Sequence, residues 1–190
     1  MNPSPGYCVL PARRPEESHE VNGDLTLTPE ATQDVGEPTP RQTAGPYFKA
    51  GSPERSSLVE PEPAARRLNV SGRVLDQAGG PVPGALLDFW HADETGQYDL
   101  VDYRYRGHQF AGENGAYLLE TIFPGIYLTR TRHIHVRVEP PGGGALITQQ
   151  YFPGEPRNET DPIFDARLLL SDVTSRDGLT TATFDFVLAG

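Results

Sequence analysis

Residues 68–90 read LNVSGRVLDQAGGPVPGALLDFW. Leu68, Val70, Gly72 and Val74 alternate with polar neighbours, the period-two pattern of a strand with one face in a core and the other toward solvent. Gln77 to Gly80 turn the chain, and the run from Pro81 makes a second strand ending at Trp90. Outward from this unit the same grammar repeats. DETG at 93–96 is a turn, YRYRGHQFA at 103–111 a strand, ENGA at 113–116 a hairpin turn and YLLETI at 117–122 a strand. FPG leads into YLTRTRHIHVRV at 127–138, PPGGG ends it, and ALITQQYF at 145–152 follows. Residues 163–170 read as a short helix or an irregular excursion, and TTATFDFVLA at 180–189 closes with a period of two. Six to eight short strands at regular spacing predict an all-β fold, an antiparallel β-sandwich.

Composition agrees and narrows the function classes. Gly 20 and Pro 19 in 190 residues favour a turn-rich body. The formal charge of −10, without a long basic cluster, argues against nucleic acid as partner. No apolar run reaches the roughly 18 residues of a membrane span. The sole cysteine, Cys8, allows neither an intrachain disulfide nor a cysteine-based metal cluster. MNPSPGYCVLPARRPEES at the start lacks an apolar signal core, so a cytoplasmic location is expected. Residues 1–38, rich in Pro, Glu and Thr, read as a flexible arm. Residues 39–67 read as an extended segment and linker, although Tyr47 and Phe48 are aromatics that a mere linker has no use for. Residues 68–190 make the sandwich core.

Within 127–138, His133 and His135 are two apart and point to one face of a strand, with Ile134, Val136 and Val138 on the other register. Such a pair is either a metal site or an accident. Glu139 lies too far along the strand to share an ion with both. A zinc site needs His91, His108 or His19 nearby, and an iron(II) site with one carboxylate needs an acid such as Asp88 or Asp93. Tyr98 after the DETG turn and Tyr127 after Pro-Gly stand at strand edges, where side chains converge on a site. A phenolate is a hard anionic donor suited to Fe(III). Ionising it at pH 7 from a pKa near 10 costs about 4 kcal/mol, which a directly bound trivalent ion offsets.

The combination resembles the intradiol ring-cleavage dioxygenases, the non-haem Fe(III) enzymes that include protocatechuate 3,4-dioxygenase and catechol 1,2-dioxygenase. The pieces that carry the resemblance are QTAGPYF at 42–48, LLDFWHADETGQYD at 86–99, GAYLLETIFPGIY at 115–127, RTRHIHVRV at 130–138 and LITQQYFPGEP at 146–156, in the family's order. The resemblance implies a prealbumin-like β-sandwich and one Fe(III) per chain. Tyr98 matches the equatorial and Tyr127 the axial tyrosinate, the latter leaving the metal when substrate binds. His133 and His135 match the histidine ligands. Arg130 matches an active-site arginine and Gln149 a polar pocket residue. Gly45, Pro46 and Tyr47 match the loop over the substrate, and Trp90 a pocket tryptophan.

The implied reaction joins a catechol-type substrate and O2, cleaving between the two hydroxyl carbons to give a cis,cis-muconate-type diacid. This sequence departs from the family in two places. Only Leu128 and Thr129 separate Tyr127 from Arg130, which leaves a more open pocket. Arg132 stands where a small residue is usual and either meets a substrate carboxylate or faces solvent. The chain is closer in size to a protocatechuate-type subunit than to the helix-extended catechol enzymes, and a homo-oligomer stays open. Two other readings compete: a non-catalytic prealbumin-like binding module, and a histidine-based Zn or Fe(II) site.

Overall fold

The structure, a computed structural model, describes Met1 and residues 36–61 and 65–190. The flexible arm expected over 1–38, with Cys8 and His19, lies outside the described residues apart from Met1 and 36–38. The chain divides into two units, Met1–Thr32 and Gln33–Gly190, and the second holds every element below.

Among the described residues, nine strands form two sheets. One is ordered β4 (Ala116–Ile122), β1 (Arg67–Asp76), β8 (Leu179–Thr183) and β7 (Ser171–Arg176), with β9 (Phe186–Leu188) also on β1. The other runs β3 (Arg106–Phe110), β2 (Leu86–Trp90), β5 (His133–Glu139) and β6 (Leu146–Tyr151), all antiparallel. Leu68, Val70 and Val74 of β1 and Leu119 of β4 are fully buried, as are Leu87 and Phe89 of β2 and Ile134, Val136 and Val138 of β5. These alternate positions form the sandwich core. At the open side, the Gln109 side chain donates to the Leu118 carbonyl and accepts from its N–H, stitching β3 to β4.

The closing strand differs from the sequence expectation. It is split into β8 and β9, and both pair parallel with β1. A Cβ at Gly72 would stand 1.8 Å from the Phe184 carbonyl oxygen. The break lets that backbone cross Gly72 while Asp185 accepts the Arg73 N–H at 2.7 Å. The parallel direction is possible because a long crossover separates β1 from β8. Residues 163–170 are turns around a 3-10 segment, Ala166–Leu168. The exposed hairpin strand β7, turned at Asp177-Gly178, has no apolar alternation to announce it.

Residues 39–58 run across the outer face of the second sheet. Their backbone bonds β9 at Thr39, β6 at Gln42, β3 at Arg55 and β4 at Leu58. This strap buries a face that would otherwise be polar and wet. No helix among the described residues is long and apolar enough to cross a membrane.

Candidate metal centre

The register of the second sheet sets Arg106, Trp90, His135 and Gln149 abreast on its outer face, and pairs His133 with Tyr151. All six are buried. Trp90 stacks parallel on His135, with centroids 4.9 Å apart, and Phe48 from the strap packs on Trp90. Gly45, at φ +66, lies so close that a Cβ there would meet His135 Cε1 at 3.4 Å. His133 Nδ1 donates to the Thr131 carbonyl at 2.7 Å. That fixes the tautomer and leaves a lone pair on Nε2. Nε2 of His133 and Nε2 of His135 face each other at 3.2 Å. Burial holds His133 down to about 4, and His135 well below its ordinary value, with the neighbouring His133 and Arg130 adding to the effect. Both rings are therefore neutral at pH 7. The Thr43 backbone pulls His135 the other way, and the buried Nδ1 of His135 lacks a hydrogen-bond partner among the described residues.

Two glycines bring the tyrosines in. Gly96 and Gly125 each stand two residues before a tyrosine, in GQY and GIY. A Cβ at Gly125 would lie 2.2 Å from Gly96 N, and one at Gly96 2.2 Å from the Ile126 carbonyl oxygen. Only bare backbone lets these loops meet, and the Gly125 N–H donates to Asp93 at 2.6 Å. Tyr98 Oη consequently reaches His133 Nε2 at 3.2 Å, and the Tyr98 and Tyr127 rings lie 5.4 Å apart. Tyr47 stacks on Tyr98 at 4.8 Å and its hydroxyl meets Tyr127 Oη at 2.6 Å. Burial raises the Tyr98 phenol far above its ordinary value, against the pull of Arg130 and Arg106. The hydrogen bond with Tyr47 raises Tyr127. Without a cation, both phenols keep their protons.

Arg130 follows Tyr127 through a tight turn closed by its own N–H on the Tyr127 carbonyl. Its Nε donates to both oxygens of Asp161, and Nη2 donates to Gln149 Oε1 at 2.6 Å and Tyr151 Oη at 3.1 Å. Gln149 is fully buried, and its Nε2 donates to the Thr43 carbonyl. It links Arg130 to the strap rather than presenting a free amide. Buried Arg106 donates to the carbonyls of Tyr47 and Asp99, tying the strap to the Tyr98 loop. Sequence reasoning missed Asp161 and Arg106, whose contacts span 31 and 59 residues. The repeated Gly-x-Tyr was a legible signal that went unread.

Other candidates lie apart. His91 is satisfied by the Ala92 carbonyl and Thr121 Oγ1. Asp88 bonds Ser52, Asp93 organises the 93–97 turn, and Glu139 pairs with Arg137. His108 bonds the strap at Ser52. Pro46 is exposed on the covering loop. Arg132 does not face solvent freely: it pairs with Glu155 at 2.9 Å and donates to the Pro124 carbonyl. Its charge is spent locally.

Among the described residues no group of three His, Cys, Asp or Glu is placed to hold a metal ion. The phenols of Tyr98 and Tyr127 are the further oxygen donors that the described residues bring near the histidine pair. The geometry fits: metal–imidazole bonds of about 2.1 Å place two ligands at roughly right angles about 3 Å apart. Beside Tyr98 a cavity of about 300 Å³ is lined by Asp93, Gln97, Asp99, Leu100, Arg104 and Tyr105.

A family model described as Dioxygenase matches residues 43–190. The protocatechuate 3,4-dioxygenase beta chain of Burkholderia cepacia is 32% identical, over 72% of this chain and 70% of its own. The chlorocatechol 1,2-dioxygenase of Rhodococcus opacus is 30% identical, over 62% of this chain and 57% of its own. This chain thus spans little more than half the length of that relative. The dioxygenase domain of a dioxygenase–carbohydrate-binding fusion from Streptomyces sp. SirexAA-E superposes with a TM-score of 0.78 at 52% identity, covering 80% of this chain and 99% of the domain.

Proposed function

This chain belongs to the intradiol ring-cleavage dioxygenases, and from that membership we propose that it opens a catechol-type ring with O2 at a non-haem Fe(III) centre held by Tyr98, Tyr127, His133 and His135. What carries the reading is the convergence of Tyr98 Oη and two imidazole Nε2 atoms, with successive spacings of 3.2 Å. Two neutral imidazoles and two phenolates suit a trivalent ion, whose charge two phenolates cut to a net +1.

When bound, the iron supplies Lewis acidity that acidifies the phenols and the substrate hydroxyls. The protein's own groups do the rest. Tyr127 Oη, as a phenolate, is the base that receives a substrate hydroxyl proton, and Tyr47 Oη at 2.6 Å hydrogen-bonds it in place. Arg130 holds a fixed positive charge beside the oxygens that become anionic. Trp90, Phe48 and Tyr47 wall the histidine side from water, and Gly45 lets the strap lie against His135.

Both atoms of O2 enter the product, so a catechol gives a cis,cis-muconate-type dicarboxylic acid with no external reductant. Relatives named for chlorocatechol, catechol, protocatechuate and hydroxyquinol share only the vicinal diol, and the proposal commits to that unit. Oxygen uptake with catechol, with mass analysis of the product, tests it. Equimolar uptake and a dicarboxylic acid are expected. An aldehyde product or no uptake by iron-loaded protein would overturn it.

A further inference from the structure

We propose that Asp161 is the positioning residue that holds Arg130 and His133 in one frame, an inference that rests on the function proposed above. Asp161 follows the 3-10 turn Pro156–Glu159 and its side chain is fully buried. One carboxylate takes three donors. Oδ1 accepts from Arg130 Nε at 3.0 Å and the Ile163 N–H at 3.1 Å; Oδ2 accepts from Arg130 Nε at 2.8 Å and the Thr131 N–H at 2.8 Å. The Thr131 carbonyl is the acceptor for His133 Nδ1. Asp161 therefore grips, through the single residue Thr131, the carbonyl that orients His133, and directly the guanidinium one residue earlier.

A carboxylate whose only task was to fold the 161–164 turn would need the Ile163 N–H alone. Here Thr131 is clamped from a second side as well, its hydroxyl donating to Asn158 Oδ1 at 2.7 Å while Asn158 Nδ2 donates to the Phe152 carbonyl. Asp161 on Nε, with Gln149 and Tyr151 on Nη2, fixes the guanidinium plane. Nη1 is left without a hydrogen-bond partner among the described residues, free for an anionic oxygen of the substrate. Burial alone would raise the Asp161 carboxyl, but the Thr131 and Ile163 amides and Arg130 outweigh it and hold the group below its ordinary value. The clamp stays charged.

The test uses iron-loaded protein and catechol, comparing wild type with Asp161→Asn, Arg130→Gln and the double variant in kcat, KM, iron content and visible spectrum. Asp161→Asn should lose about 10- to 100-fold in kcat, the usual penalty for removing such a supporting group, with iron and resting colour retained. Added to Arg130→Gln, it should cost clearly less than it does alone, because the Arg130 route is gone and only the Thr131 route to His133 is left. The double variant removes both partners of the ion pair together, so neither charge is left without its counterpart. A double variant as active as Arg130→Gln would still trace the role through Arg130. Full multiplication of the two losses, or a wild-type kcat in Asp161→Asn, would overturn the role. A wild type that is colourless and inert with catechol would instead sink the proposed function, and this role with it.

Discussion

Gly125→Ala should separate the two tyrosines. The new Cβ would stand 2.2 Å from Gly96 N, 2.6 Å from the Glu94 carbonyl oxygen and 2.7 Å from Thr95 C, all backbone atoms that cannot rotate away. Ordinary contact begins at 3.4 Å, so the loops must part by about 3.4 − 2.2 = 1.2 Å. The Gly125–Asp93 bond, 2.6 Å long, would stretch to roughly 3.8 Å, beyond useful hydrogen-bond range. Overpacking costs about 1–3 kcal/mol and the bond about 1 kcal/mol. A total near 2–4 kcal/mol lowers Tm by about 5–15 °C in a chain of this size. A misplacement of about 1 Å also costs on the order of 100-fold in rate. Thermal unfolding and oxygen uptake measure the two effects. Gly112→Ala is the control, since its Cβ would meet nothing closer than 3.6 Å. Wild-type Tm and rate in Gly125→Ala would refute the reasoning, as would equal damage from the control.

Further outcomes can be checked on the same protein. Burial raises the Asp88 carboxyl above 3.8 against the Ser52 hydrogen bond and nearby charges. The unfolded chain thus ionises first, and stability falls as pH rises from 3.8 through the folded value. Asp88→Asn should raise Tm at pH 7, with the gain fading below about pH 3.8; thermal unfolding across pH reads the sign. Leu128 is 72% exposed at φ 49. Leu128→Gly should gain about 1 kcal/mol in chemical denaturation by relieving a left-handed leucine. Leu58 anchors the strap and is fully buried. Leu58→Ala should cost about 2–5 kcal/mol and loosen the strap, visible as faster hydrogen exchange at residues 54–58.

Parity was the most legible feature of this sequence. The alternation of Leu68, Val70 and Val74 placed β1, and the spacing of His133 and His135 put both on one face, as the buried Ile134, Val136 and Val138 of the other face agree. Alternation says which face a side chain takes, not what covers it. Burial of the histidines under residues 39–58 depends on long-range backbone bonds that leave no local pattern. Asp161 and Arg106 escaped for the same reason, since a carboxylate or guanidinium on a strand or turn looks solvated until its partner is known. The family resemblance supplied what periodicity could not, namely the expectation that Tyr98 and Tyr127 belong with the histidines. Arg132 shows the limit of matching by position: its partner Glu155 lies 23 residues on. The split of β8 from β9 hinged on Gly72, which the alternating pattern treats as one more inward residue although its missing side chain admits the Phe184 backbone.

A ferric ion on two tyrosinates and two histidines has a visible absorption spectrum, and that spectrum is the measurement to make first. Iron-loaded protein would be recorded before and after anaerobic addition of catechol, beside Tyr98→Phe. A burgundy tyrosinate-to-iron band that moves to longer wavelength with catechol, and that is largely lost in Tyr98→Phe, is the expected result. A colourless protein carrying a full complement of iron would contradict it, and the histidine pair would then serve another metal or none.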